Sequence, residues 1–198
     1  MKEIVLEVVL EYRPEELRKW RGGRRVRAAE SRTPATSAHP PACQFAEHFT
    51  LSLYRKAGWS GHRFYGLDEQ APRDARAAAG HIDVRRCFSA VQLQALARER
   101  GASAADPGLF LFRSSGDALF LEVTKGRERV PPERLQGLAQ IRRVLGADVG
   151  VVYVKPHGPW YEPRQWELDL AAGSGRLLPR ERESSSASLA GLWNVAGQ

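Results

Sequence analysis

The chain has no run of about 18 apolar residues, the length a helix needs to span a bilayer, so a transmembrane helix is not expected. Its apolar opening, Met1 to Leu10, is interrupted by Glu3 and Glu7 and followed by Glu11 with no small-residue cleavage site, which speaks against a secretory leader. Cysteine is scarce. Cys43 and Cys87 stand far apart among five scattered histidines, a distribution that makes neither a disulfide framework nor a zinc cluster and fits a reducing cytoplasm. No repeat recurs at a solenoid-like period. Acids are outnumbered, 23 against 30 lysines and arginines, for a net charge of +7; an excess of this sign favours a polyanionic partner.

What is present is the composition of an ordinary globular protein, 42% hydrophobic and 27% charged over 198 residues. That length suits one domain of about 100–150 residues with flanking arms. The basic excess is local. Arg13 to Arg32 holds eight Lys/Arg against three Asp/Glu, whereas Lys155 to Gln198 holds five of each. Residues 1–42 therefore read as an N-terminal segment with a basic linker, in which 3–11 has the β-branched content of a strand and Pro14 to Trp20 the prolines and acids of a helix start. Residues 156–198 read as a tail, disordered in part, with a Gly/Ser-rich end.

Between them lies the expected domain, 43–155. The spacing of Phe45, Phe49 and Leu53, ending at Gly58, predicts an amphipathic helix over 43–58. A turn-rich stretch over 59–86 and a second helix over 88–100, closed by Gly101, follow. Leu109 to Arg113 and Ala118 to Thr124, joined by Ser114-Ser-Gly-Asp117, predict a β-hairpin. Pro131 to Leu145 predicts a third helix, and Val149 to Val154 a strand buried on both faces. The expected order is α-α-β-β-α-β, an α/β class with a small mixed sheet flanked by helices.

Glu122 is out of place in this pattern. It stands between Leu121 and Val123 in an otherwise apolar strand, where a carboxylate is costly unless it faces solvent, a partner or a metal. Asp106 lies sixteen positions earlier, before the other hairpin strand, so a hairpin can bring the two acids together. Converging carboxylates suit a hard divalent cation such as Mg²⁺, which promotes phosphodiester hydrolysis. The plainer alternatives are a solvent-facing strand residue for Glu122 and a turn acid beside Pro107 for Asp106.

The run Asp106-Pro-Gly-Leu-Phe-Leu-Phe112, then Leu119-Phe-Leu-Glu-Val-Thr-Lys-Gly126, then a helix and Val149 to Val154 resembles the PD-(D/E)XK nuclease superfamily, most closely its VRR-NUC (virus-type replication-repair nuclease) branch. The helix carrying Glu47 ahead of Gly58-Trp59 is similar to that branch as well. The resemblance covers roughly 43–155. It implies a restriction-endonuclease-like core and a Mg²⁺ or Mn²⁺ ion held by Asp106 and Glu122 with help from Glu47. A basic side chain would then orient water or offset charge. It further implies a metal-dependent nuclease acting on DNA, or RNA, in replication, repair or mobile-element processing.

This sequence departs from the family at two places. Thr124 stands two positions after Glu122, where the family has lysine, and Lys125 comes one later; strand alternation would turn Lys125 away from Glu122 unless a bulge or strand end redirects it. Near Arg134 the family commonly has glutamine, while Gln136 and Gln140 lie close by. Thr124 and Lys125 are the candidates to assist the water. Arg127 and Arg129, beside Lys125, and Arg24 and Arg25 in the arm are candidate contacts to a phosphate backbone. Trp59, Phe64 and Tyr65 suit base stacking or packing, and His48 and His62 lack ligand-spaced partners. An inactive nucleic-acid-binding module stays open as a reading. So does an accessory subunit whose Trp160, Tyr161 and Trp166 meet a partner.

Overall fold

The structure is a computed structural model that describes residues 2–22, 42–67, 75–100, 105–126, 129–158, 164–172 and 174–179. Its elements are β1 (Lys2–Tyr12), α1 (Pro14–Gly22), α2 (Ala42–Lys56), β2 (Ser60–His62) and a 3-10 turn (Ala75–Ala77). There follow α3 (Ala78–Cys87), α4 (Ala90–Arg100), β3 (Leu109–Phe112), β4 (Ala118–Lys125), α5 (Pro132–Leu145), β5 (Asp148–Pro156), β6 (Arg164–Asp169) and β7 (Ser174–Pro179). All seven strands join one mixed sheet in the order β2-β3-β4-β5-β1-β6-β7. β4, β5 and β1 run parallel, and the outer pairings are antiparallel.

The protein is thus mixed α/β, with five α-helices among the described residues. The hairpin, the strand at 149–154 and three helices lie where apolar spacing put them. The expected order is interrupted by β2 and α3, both inside the stretch read as turn-rich. α3 buries Gly80, His81 and Val84, a helical stripe whose middle residues are not aliphatic, and β2 is only three residues long. Periodicity is weak in both.

The sheet also extends past 43–155 in both directions. β1 pairs with β5 from Leu6↔Gly150 to Tyr12↔Pro156 and with β6 from Lys2↔Asp169 to Leu6↔Gln165. Both of its edges are hydrogen-bonded, and Val5 and Val8 are fully buried, which accounts for its nearly unbroken β-branched run. Pairing on each side in turn brings residues 2–12 and 164–169 into the sheet.

Alternation along the strands makes two apolar layers. On one face Val5, Phe120, Val149 and Val151 pack under α3, α4 and α5 through Val84, Leu93, Leu96, Leu138 and Ile141. On the other, Leu6, Val8, Leu119, Leu121, Val152 and Val154 pack under α2 through Phe45, Phe49 and Tyr54, with Trp20 of α1 against the same cluster. Phe110 and Phe120, register partners across the hairpin, stack with centroids 5.0 Å apart. α5 ends at Gly146, whose φ of 68° is the left-handed conformation of a helix stop.

Two expectations follow. Phe120→Ala should cost about 3–5 kcal/mol in denaturant unfolding, because its fully buried ring fills the centre of one layer. Removing residues 1–12 should abolish the cooperative melt followed by circular dichroism, since β6 and β7 then have no strand to continue from.

Candidate active site

Pairing between β3 and β4 stops at Leu109↔Leu121, so Gly108 and Glu122 are the first residues beyond it. There the Gly108 N–H donates to the Glu122 carboxylate. A Cβ placed on Gly108 would lie 3.5 Å from Glu47 Oε1, which puts the α2 acid beside the same backbone, and the Glu47 charge is felt at Glu122. Asp106 comes in on the preceding loop. Tyr65 Oη donates to Pro107 O at 2.7 Å, and the Leu67 N–H donates to Asp106 Oδ2 at 3.3 Å. Glu47 and Glu122 thus approach the Gly108 backbone from a helix and a strand, while the Asp106 carboxylate, on the loop before β3, is tied to the Leu67 N–H.

Each of the three has an arginine. Arg63 Nε donates to Glu47 Oε2 at 2.8 Å. Arg100, its side chain only 5% exposed, donates through Nη1 to Asp106 Oδ1 at 2.9 Å and through Nη2 to Ala105 O at 2.7 Å. Arg134 Nη1 donates to Asp106 O at 2.7 Å and stands 3.7 Å from Glu122 Oε2. Arg134 therefore joins the Asp106 loop to the β4 acid.

The Glu122 side chain is 17% exposed. Loss of solvation pushes its pKa above 4.5, against the pull of Arg134 and the Gly108 N–H, and Glu47 adds a smaller push in the same direction. Its Oε2 is buried without a hydrogen-bond donor. An acceptor-only oxygen lacking a donor, with the Glu47 charge nearby, is the ligand chemistry that hard divalent cations prefer. The donor type suits Mg²⁺ or Mn²⁺, while among the described residues no three such side chains are gathered closely enough to hold a metal ion. Below them Tyr65 is held firmly as the phenol, by burial first and by the charges of Asp106 and Glu122 next.

The other expected residues separate. β4 and β5 pair regularly from Leu119↔Asp148 to Lys125↔Val154, and the Gly126 N–H closes the strand on Val154 O at 2.9 Å. No bulge intervenes. Thr124, the register partner of Tyr153, shares the α5 face with Glu122, whereas Lys125 falls with Val123 on the α2 face. Arg129 is exposed just before α5. Arg24, Arg25 and Arg127 lie outside the described residues, as do Trp160 and Tyr161.

The aromatic candidates are largely structural. Trp59 is buried with the Arg113 guanidinium 4.3 Å over its ring, and Tyr65 is buried. Phe64 is 38% exposed, with Arg76 4.6 Å over its ring. His48 stacks on Trp20, and His62 Nε2 lies 2.7 Å from Asp83 Oδ2. Trp166 donates its indole N–H to Glu7 Oε1 at 3.0 Å.

Sequence reasoning missed the arginine partners. For Arg134 a signal was present: a cation in the first turn of a helix opposes the macrodipole and asks for a nearby anion. For Arg63 and Arg100 there was none, since neither spacing nor neighbours distinguish them from surface arginines. Among the described residues no helix is long and apolar enough to cross a membrane. In comparisons with known proteins, no family model and no curated protein matches the chain.

The raised Glu122 pKa has a definite sign. The native state holds this proton more tightly than the unfolded chain, so the stability it confers is complete below pH 4.5 and is lost as pH rises through the native pKa. Urea unfolding of wild type and Glu122→Gln between pH 4 and 8 should show the variant gaining on wild type as pH rises. A constant difference would mean that the carboxyl is not perturbed.

Proposed function

We propose that the chain is a divalent-metal-dependent nuclease of the PD-(D/E)XK type, similar to the VRR-NUC branch, which hydrolyses phosphodiester bonds in DNA. The observation that carries this reading is the approach of Glu47 and Glu122 at Gly108, where a buried Glu122 oxygen has no donor. Glu122, Asp106 and Glu47 would hold Mg²⁺ or Mn²⁺. When bound, the cation lowers the pKa of an attacking water and offsets charge on the leaving oxygen.

The chain's own groups do the rest. Arg63 and Arg100 hold Glu47 and Asp106 in place while balancing their charges, and Tyr65 fixes the loop through Pro107 O. Arg134, 3.7 Å from Glu122 Oε2, supplies the cation that Thr124 cannot. Its guanidinium stabilises the negative charge that builds on the phosphoryl oxygens as water oxygen bonds to phosphorus and the P–O ester bond breaks. Thr124, on the Glu122 face, is placed to hydrogen-bond the water, while Lys125 lies on the other face and serves at most the phosphate backbone. Arg129, with Arg24, Arg25 and Arg127, adds sequence-independent attraction for a polyanion. DNA processing in replication, repair or mobile-element movement in the cytoplasm is the role this chemistry suits.

A second reading has one specific observation behind it. Regular pairing through Lys125 leaves the strand cation facing away from Glu122, as in a domain that binds nucleic acid without cutting it.

Incubating plasmid, single-stranded and branched DNA with purified protein and Mg²⁺ or Mn²⁺ separates the two. Glu122→Gln and Asp106→Ala should abolish cleavage. Arg134→Ala should lower it by about 10²–10³, with partial return in Arg134→Lys, and Lys125→Ala should retain most activity. Trace cleavage that survives Glu122→Gln unchanged would end the nuclease reading, and metal-independent binding without cleavage would favour the second.

A further inference from the structure

A groove of about 980 Å³ lies on the α5 face of the sheet, between the start of α5 and strands β5, β6 and β7. Its walls include Leu135, Leu177, Tyr153 and Trp166, with Arg129 and Arg164 among them. Neither arginine belongs to the carboxylate site. Below, Glu7 of β1 is fully buried and accepts the Arg164 N–H and Nε–H, each at 3.2 Å, and the Trp166 indole N–H at 3.0 Å. The Glu7 carboxylate holds both side chains in place. The Arg164 side chain remains 40% exposed.

The strand registers connect this groove to the carboxylates. Glu122 pairs with Val151, Val151 pairs with Glu7, and Arg164 follows next to Glu7 in the antiparallel register of β6. These residues form one row across one face, its middle members Val151 and Glu7 fully buried. Three strand spacings of about 4.8 Å separate its ends by about 15 Å, roughly four phosphates at the ~3.4 Å rise of a stacked strand. The groove therefore meets the site through the adjacent row on that face, where the groove wall Tyr153 pairs with Thr124.

We infer that the groove seats a single polynucleotide strand leading to the carboxylates, with Arg129 and Arg164 on its phosphates and the fixed Trp166 ring as a stacking surface. Charge complementarity selects a polyanion, and an immobilised indole suits bases of any sequence. The partly exposed ring selects one strand. A stacking surface takes base faces that an unpaired strand exposes and a duplex does not. This inference rests on the nuclease reading for its direction toward Glu122, but its binding test needs no cleavage.

The test is fluorescence anisotropy of the full chain with a fluorescein-labelled 12-nucleotide single strand in EDTA, over a range of salt, with the matching duplex as competitor. Arg129→Ala should weaken single-strand binding about three- to tenfold and lower the salt slope by about 0.7. Ser174→Trp, which fills the groove from β7, should weaken it by about tenfold or more while the thermal melt confirms folding. Arg86→Ala on α3 should bind like wild type. Wild-type binding by both Arg129→Ala and folded Ser174→Trp overturns the inference, as does a duplex that competes as well as the single strand. Should Ser174→Trp fail to fold, Arg129→Ala alone decides. Groove-dependent binding without any cleavage would keep the groove and reject the nuclease. Glu122-dependent cleavage with groove-independent binding would do the reverse.

Discussion

The insertion of β1 between β5 and β6 is the constraint on which the rest of the molecule depends. A strand paired on both edges and buried on both faces must be apolar in its middle, and from Ile4 to Leu10 β1 meets that demand except at Glu7. A buried carboxylate is tolerated only when its lone pairs are satisfied. Here the main chain and guanidinium of Arg164 and the indole of Trp166 satisfy them. Because these donors come from β6, the network also selects the register of β6 on β1; a slip of one residue would turn them to the other face. The platform under α5 and the floor of the groove follow from that pairing.

The charged groups around Glu122 obey a different balance. Glu47 pushes up the pKa of the partly dehydrated Glu122, and each of Glu47, Asp106 and Glu122 has an arginine from a separate element. Two of them, Arg63 and Arg100, bond directly to their carboxylates and so organise the loop and the helix. Arg134 is different because it bonds the Asp106 carbonyl and only approaches Glu122. That leaves Glu122 Oε2 with charge nearby but no donor, which sets it apart from the closed ion pairs of Glu47 and Asp106.

Regularity in β4 also has a consequence. A strand hydrogen-bonded without a bulge through Lys125 must alternate its side chains. Thr124 therefore shares the face of Glu122, and Lys125 cannot. Any cation working beside Glu122 has to come from another element, and α5, lying across that face, is where Arg134 provides one.

Local information sufficed for elements with a strong period. The stripe Phe45, Phe49, Leu53 and the paired runs at 109–112 and 118–125 each carry enough apolar contrast to declare helix or strand. The oddity of Glu122 in an apolar strand was equally legible, because burial cost is a property of the residue and its immediate neighbours. Sequence could not reveal that β1 sits at the centre, since its partners are more than 140 residues away and a β-branched run does not name the strand it joins. Nor could it show Arg63, Arg100 and Arg134 turning toward the acids. Long flexible cations take their direction from whatever anions the tertiary fold brings within reach, and only the closed sheet decides which those are.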